Sequence, residues 1–119
     1  MDKVVVAKKF EQFAEFWRPR IVGELNGQQV KLVKMKGDFE WHHHDVEDEL
    51  FFVMKGQMIM KLRDRDVVVN PGEFLIVPRG VEHKPCAPEE THVMLFEPAS
   101  TVNTGNVRSE RTVEVLERL

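Results

Sequence analysis

The chain has a single cysteine, no excess of basic residues and no long apolar run. Because Cys86 has no second cysteine to pair with, an internal disulfide and a metal cluster held only by cysteines are excluded. The longest apolar stretches, such as Leu50–Met54, are far too short to cross a bilayer, so a membrane span is not expected. With a formal net charge of −3 and no basic stripe, the chain is not expected to bind nucleic acid.

The N-terminal stretch MDKVVVAKKFEQF contains no apolar segment of secretory length, and a cytoplasmic location is therefore expected. The chain has 119 residues, of which 42% are hydrophobic and 31% are charged, the balance of a globular protein. A domain of this size buries roughly two-thirds of the surface of its unfolded chain, which allows one substantial core.

Aromatic residues at spacings of three and four predict one short amphipathic helix between Lys8 and Trp17. Pro19 ends this helix, because the residue before a proline is pushed toward extended geometry. Residues 1–20 are accordingly predicted to form an N-terminal helical extension.

From residue 21 onward the pattern changes to short strands separated by turn residues. Asn26–Gly27 is the strongest local signal, a two-residue hairpin turn between Ile21–Leu25 and Gln28–Met35. Seven more strands are predicted, with a turn at 87–89 between the last two: Phe39–His44, Glu49–Met54, Gln57–Arg63, Val67–Val69, Phe74–Val77, His83–Cys86 and Thr91–Glu97. Many short strands at close spacing are typical of an antiparallel sandwich or barrel, here residues 21–98.

Residues 99–119 are predicted to be a tail that packs on the barrel or on a partner. Its last part, Ser109–Leu119, is charged, with Val113, Leu116 and Leu119 at helical spacing. A short helix and an extended arm both fit this pattern.

Three consecutive histidines stand in the stretch WHHHDVEDELF. On a helix their rings would point about 100° apart, and position 46 is valine, which removes the helical i, i+4 metal pair. On a strand, His42 and His44 share one face while His43 points the other way. The strand interpretation therefore predicts two ligands and one outward-facing histidine; a solvated polar loop is the alternative for the triplet alone.

Two more residues complete a candidate ligand set. The acidic segment Asp45–Asp48 is predicted to bend the chain and return Glu49 to the face of the two histidines. His83 follows a turn, Pro78–Gly80, at the end of an apolar strand. Three imidazoles and one carboxylate suit a divalent transition metal ion such as Zn, Mn, Fe, Ni or Cu, and do not suit Ca or Mg.

The spacing of these residues resembles the two sequence motifs of the cupin family. The first motif falls on Gly37, His42, His44, Glu49 and Gly56, and the second on Gly72, Pro78, Gly80 and His83. The chain departs from the pattern in having four residues, not five, between the first glycine and the first histidine, and Ala87 where the family often has asparagine. The resemblance extends from about residue 21 to residue 98.

The resemblance implies an all-β fold, an antiparallel jelly-roll β-barrel, here with a short N-terminal helix. It also implies that the metal ligands are His42, His44, Glu49 and His83. The fold hosts dioxygenases, isomerases, epimerases, decarboxylases, storage proteins and sensor domains, so it does not fix the reaction.

We therefore expect a metal-binding cupin that binds or transforms a small polar molecule inside the barrel. Dioxygenase activity and sugar-isomerase-like activity are both open, no catalytic residue is assigned, and a non-catalytic small-ligand or metal-binding module is the alternative. The strand Glu49–Met54 is apolar on both faces and needs an outer cover, either the N-terminal helix or the second subunit of a homodimer.

Other polar residues have a structural and a functional interpretation. His92 could line the pocket as an acid or base, although a packed structural histidine is commoner. Cys86 fits a small buried apolar residue, or a thiol near the pocket mouth. Asp48 fits a solvated loop acid, or a support for the neighbouring Glu49.

Overall fold

The computed structural model describes all 119 residues and is nearly all β, as the sequence predicts. Its elements are helix α1 (Val6–Phe10) and strands β1 (Arg20–Leu25), β2 (Gln28–Asp38), β3 (Glu49–Lys55), β4 (Met58–Leu62), β5 (Asp66–Val69), β6 (Phe74–Val77), β7 (His83–Pro98) and β8 (Glu117–Arg118). The strands pair antiparallel, except that β8 runs parallel to β1. The single helix has five residues. It is neither long enough nor apolar enough to cross a membrane.

Strand β7 organises the sheet, because its 16 residues pair with three other strands. Strand β2 pairs with β7 from Pro98 to Cys86. Strand β4 pairs with the first part of β7, and β3 pairs with the second part of β7. The predicted turn at 87–89 is therefore wrong. Between the pairs Met35↔Thr91 and Gly37↔Ala87, β7 has three residues where β2 has one, so the proline and glutamates there form an exposed bulge.

The predicted helix over Lys8–Trp17 is also wrong beyond residue 10. Phe16 instead forms a bridge to Lys34 of β2, and Trp17 has a positive φ of 64° and donates its backbone N–H to the Lys34 carbonyl at 2.8 Å. The aromatic periodicity arises because this segment covers a sheet: Phe10 and Phe13 pack on Leu32. Backbone pairing with β2 replaces the hydrogen bonds of the helix.

The predicted hairpin between β1 and β2 is confirmed, with Asn26 and Gly27 both at positive φ. The C-terminal tail is an arm and not a helix. Its strand β8 pairs with β1, and the Leu119 N–H donates to the Ile21 carbonyl at 2.9 Å. The main core lies between the curved strands and contains Trp17, Val33, Met35, Phe39, Phe51, Val53, Met58, Met60, Val69, Val77, Ala87, Val93 and Leu95.

Candidate metal centre

Four buried side chains meet at one end of the core: His42, His44, Glu49 and His83. Each offers one ligand atom, and these atoms all lie within 4.8 Å of one another. The two histidines of the triplet come from the connection between β2 and β3, Glu49 begins β3, and His83 begins β7. Residues that are far apart in the chain thus meet: Glu49 lies beside the C-terminal end of β7, where Leu50 pairs with Phe96, and His83 at the start of β7 bridges His42.

The predicted strand Phe39–His44 is reduced to a single bridge. His42 exchanges two backbone hydrogen bonds with His83, at 3.0 and 2.9 Å, and the flanking residues have no ladder. The local chain is extended enough to keep the predicted alternation: His42 and His44 are buried, whereas His43 is partly exposed and contacts the Asp45 carboxylate at 3.0 Å. The predicted bend follows immediately, at Asp45.

Backbone carbonyls fix the orientation of two of the rings. The Nδ1 atom of His42 lies 2.9 Å from the Glu40 carbonyl, and that of His83 lies 2.8 Å from the Val81 carbonyl. A carbonyl only accepts, so both Nδ1 atoms carry the hydrogen and both Nε2 atoms present a lone pair. This is the arrangement in which a histidine binds a metal through Nε2.

Three atoms at the centre of the cluster lack a hydrogen-bond partner. Oε1 of Glu49 lies 2.8 Å from Nε2 of His44 and 3.2 Å from Nε2 of His83. None of these contacts has hydrogen-bond geometry, and all three atoms are buried. Buried polar groups without a partner are rare in folded proteins, and a cation bound among these lone pairs would satisfy all of them. The residues present therefore fit a metal ion.

Burial and the neighbouring charges set the protonation of the cluster. Burial, reinforced by the nearby His83, lowers the pKa of His42 to about 4. Burial also acts to raise the pKa of Glu49, but its contacts with Glu97, His44 and His83 outweigh burial and hold that pKa well below its usual range. The result at neutral pH is a neutral His42 and an ionised Glu49, the forms that bind metals.

The turn predicted to precede His83 also supports the other ligands. The Gly80 N–H donates to the His44 carbonyl at 2.7 Å, and the Arg79 N–H donates to Asp48 Oδ1 at 2.8 Å. The Arg79 guanidinium completes an exposed ion pair with the same carboxylate at 3.2 Å. Asp48 is thus a solvent-exposed loop acid, and its contacts with Arg79 link the acidic bend to the Pro78–Gly80 turn.

A narrow cavity of about 40 Å³ lies beside the cluster. Its apolar wall includes Trp17 and Phe39, whose rings stack at a centroid distance of 4.9 Å. Its polar wall includes His42, Glu49 and Glu97. The volume is enough for one or two water-sized groups, so the space next to the ligand atoms is small.

Glu97 is the functional candidate that the sequence analysis missed. It is 2% exposed, lies 3.0 Å from the buried ammonium of Lys31 and contacts the carboxyl of Glu49. Burial and the charge of Glu49 raise the pKa of Glu97 well above its usual range, against the opposing effect of Lys31. Strand parity contained the signal, because Glu97 lies at every second position after the inward-facing Val93 and Leu95 and so shares their face.

The remaining candidates lie away from the cluster. His92 is on the outer face of β7, where it stacks on Phe10 at 4.4 Å and contacts the Glu90 carboxylate at 2.7 Å, which confirms its structural interpretation. Cys86 is buried, and this burial, with the nearby Asp38 carboxylate, raises the pKa of its thiol to about 11. A thiol that stays protonated at neutral pH is a weak nucleophile and a weak ligand.

Comparison with known proteins finds several that are similar to this chain. The chain is similar to the structure of a cupin-2 domain containing protein from Shewanella frigidimarina, with 43% identity and a TM-score of 0.79 over 80% of this chain and 93% of that one. It is also 33% identical, over 53% of its length, to the uncharacterized protein YdbB of Bacillus subtilis, of which it spans 57%. It is 27% identical, over 77% of its length, to 3-hydroxyanthranilate 3,4-dioxygenase of Xenopus laevis, of which it spans 35%.

The cupin domain model matches residues 29–97, more than half of the chain. This range contains all four clustered residues and strands β3 to β6 in full. The expected antiparallel jelly roll with a short N-terminal helix is confirmed by the strand pairing and by the Shewanella structure. The chain belongs to the cupin family.

Proposed function

We propose that this cupin binds one divalent transition metal ion through His42, His44, Glu49 and His83. The observation that carries the proposal is the set of buried, unpartnered atoms His44 Nε2, His83 Nε2 and Glu49 Oε1 around one point. The mixture of imidazole and carboxylate favours Zn, Mn, Fe, Ni or Cu over Ca or Mg. When bound, such an ion supplies a Lewis acid that polarises an oxygen of a neighbouring small molecule.

The adjacent cavity is the proposed site for part of a small polar molecule. Trp17 and Phe39 exclude bulk water from one side, which strengthens any electrostatic interaction inside. Glu97 presents a buried carboxyl to the same space, and its Oε2 atom has no hydrogen-bond partner. A hydroxyl, amino or carbonyl group of a bound molecule could share a hydrogen bond with this carboxyl, so we propose a ligand with such a polar group.

Two functional classes fit this site. Similarity to a dioxygenase supports an O₂-dependent reaction over a sugar-isomerase-like one, although the chain spans only 35% of that relative. A non-catalytic binding module uses the same residues. Oxygen uptake by the iron- or nickel-loaded protein with a panel of small hydroxylated acids and phenols distinguishes the two. Binding that shifts thermal unfolding without oxygen consumption for any compound would contradict the oxygenase proposal.

Metal binding itself is tested by titrating apo protein, free of any affinity tag, with Zn²⁺, Ni²⁺ and Co²⁺ under calorimetric detection. We expect one site per chain, with no proton released from His42 or Glu49 at neutral pH, since His42 is already neutral and Glu49 already ionised. Absence of saturable binding of every metal tried would refute the proposed site.

We also propose that the chain forms a homodimer through the outer face of β3 and β6. There Leu50 pairs with Ile76 and Phe52 with Phe74, and the two β6 residues are 53% and 59% exposed. This patch carries no charge and β6 is an open sheet edge, so an identical apolar patch on a second copy is the best match for it. The N-terminal segment covers only the neighbouring part of the sheet, around Leu32.

The expected cytoplasmic location stays a prediction.

A further inference from the structure

We propose that the turn Gly105–Asn106 of the C-terminal tail is a positioning element for the histidine ligands, an inference that rests on the proposed metal site. The side chain of Asn106 accepts a hydrogen bond from the His43 N–H at 2.8 Å, and its own N–H donates to the His43 carbonyl at 3.0 Å. Both backbone polar groups of His43, its N–H and its carbonyl, are therefore hydrogen-bonded to one residue. His43 lies directly between the ligands His42 and His44, so fixing its backbone fixes theirs.

The contact is close as well as polar. Gly105 has a φ of +57°, and a Cβ atom at this position would lie 2.2 Å from the His43 carbonyl oxygen and 3.1 Å from Cδ2 of His42. Any larger side chain would push the histidine segment away from the tail. Glycine here allows the two backbones to meet beside the ligand ring.

The turn is rigid independently of the histidine segment. Asn103 accepts a hydrogen bond from the Val113 N–H at 2.9 Å and donates to the Arg111 carbonyl at 2.8 Å. The fully buried hydroxyl of Thr104 meets that of Thr112 at 2.7 Å. The tail thus presents Asn106 on a folded scaffold and does not depend on the histidines for its shape.

The histidine segment needs such a support, because it lies in no strand and has one bridge to the sheet. A second link from the tail reaches the same segment: the Ser100 hydroxyl donates to Glu47 at 2.8 Å, and the other oxygen of Glu47 lies 3.9 Å from Nδ1 of His44. Groups that orient metal ligands through a hydrogen bond typically contribute about 10- to 100-fold in metal affinity. Since Asn106 is exposed and acts through the backbone, we expect an effect at the lower end of that range.

The test compares cobalt affinity, by competition with a chelator, and the visible absorption of bound Co²⁺ in four full-length proteins: wild type, Asn106→Ala, Asn106→Asp and Thr112→Val. Asn106→Ala should bind cobalt about 10-fold more weakly, with a shifted and broadened spectrum, because the ligands lose a fixed geometry. Asn106→Asp retains an acceptor oxygen and should restore affinity to within about threefold of wild type. Thr112→Val removes a hydrogen bond from the scaffold that presents Asn106 but leaves the Asn106–His43 bonds in place, so it should lower the unfolding temperature of the apo protein and weaken cobalt binding less than Asn106→Ala does.

Equal affinity and an unchanged spectrum in Asn106→Ala would overturn the inference, as would a loss of the same size in Thr112→Val. Gly105→Ala provides a second route, because its methyl group presses on the His43 carbonyl while Asn106 stays in place. Wild-type binding in Gly105→Ala would contradict the close approach. Failure of the proposed metal site is distinguishable, since the wild-type protein itself would then bind no cobalt.

Discussion

Nε2 of His44 lies 2.8 Å from Oε1 of Glu49, yet the two atoms form no hydrogen bond. Both belong to side chains that are nearly inaccessible to water. Holding two polar atoms in a buried place without a hydrogen bond costs free energy unless a third group, such as a cation, interacts with both. The cluster is therefore unfavourable as an empty site and favourable as a metal site, so apo protein should gain stability on loading with metal.

The pKa of His42 predicts how the stability of the apo protein depends on pH. Because burial holds the folded-state pKa at about 4, below the usual value of 6.5, the unfolded chain binds the proton more tightly between these values. Stability is therefore complete above pH 6.5 and declines as the pH falls toward 4, by about 3 kcal/mol at most from this residue. Urea unfolding of wild type and His42→Gln from pH 7 to pH 4 checks this. An equally steep decline in the variant would contradict it.

Removing the ammonium of Lys31 should destabilise the protein strongly. In Lys31→Met, the buried carboxyl of Glu97 loses its cation and stays close to Glu49. Leaving a buried polar group without its partner typically costs about 1–3 kcal/mol, and more where that group is charged. Chemical denaturation measures the loss, and the double variant Lys31→Met with Glu97→Gln should recover part of it. No recovery in the double variant would show that the lysine acts by packing and not by charge.

Two glycines with the same backbone conformation allow a matched comparison. Gly56 and Gly72 have φ values of +86° and +84°, but a Cβ on Gly56 would lie 2.5 Å from Oγ1 of Thr91, whereas one on Gly72 would meet nothing. Gly72→Ala should cost about 1–2 kcal/mol from conformation alone. Gly56→Ala should cost roughly 1–3 kcal/mol more, because Thr91 and its strand must shift. Equal losses in thermal or urea unfolding would contradict this steric explanation.

A charge placed on the apolar outer face should disrupt the proposed dimer. Phe74→Glu and Ile76→Glu each put a carboxylate in the centre of the patch, and we expect a monomer in sedimentation velocity at micromolar concentration. Val68→Glu, at an exposed site on β5, which pairs with β4 and not with β3 or β6, is the control and should sediment like wild type. A monomeric wild-type protein would refute the proposed dimer.

Local patterns were sufficient to predict much of the site. The period-2 alternation of an extended chain separates His42 and His44 from His43, and an acidic bend returns Glu49 to them. His83 follows from a turn composition at the end of an apolar strand. Each of these depends on residues close together in sequence, where turn chemistry and side-chain alternation are strong constraints.

The errors and omissions arise where distant segments decide the structure. The N-terminal aromatics have helical spacing, but Phe16 and Trp17 pair with the backbone of β2 instead of continuing the helix. A proline and acidic residues at 87–90 suggest a turn, but pairing with β2 on both sides converts them into a bulge. The contact of Asn106 with His43 has no periodic signal, because it depends on how the tail returns to the barrel.

The metal content of the purified protein and its alanine variants tests the central claim most directly. Plasma mass spectrometry should find about one transition metal ion per chain in the wild type and in His43→Ala, whose backbone still contacts Asn106. His42→Ala, His44→Ala, Glu49→Ala and His83→Ala should each lose most of it, because each removes one of the four clustered ligand atoms. No stoichiometric metal in any wild-type preparation, or equal loss in His43→Ala, would contradict the proposed metal centre.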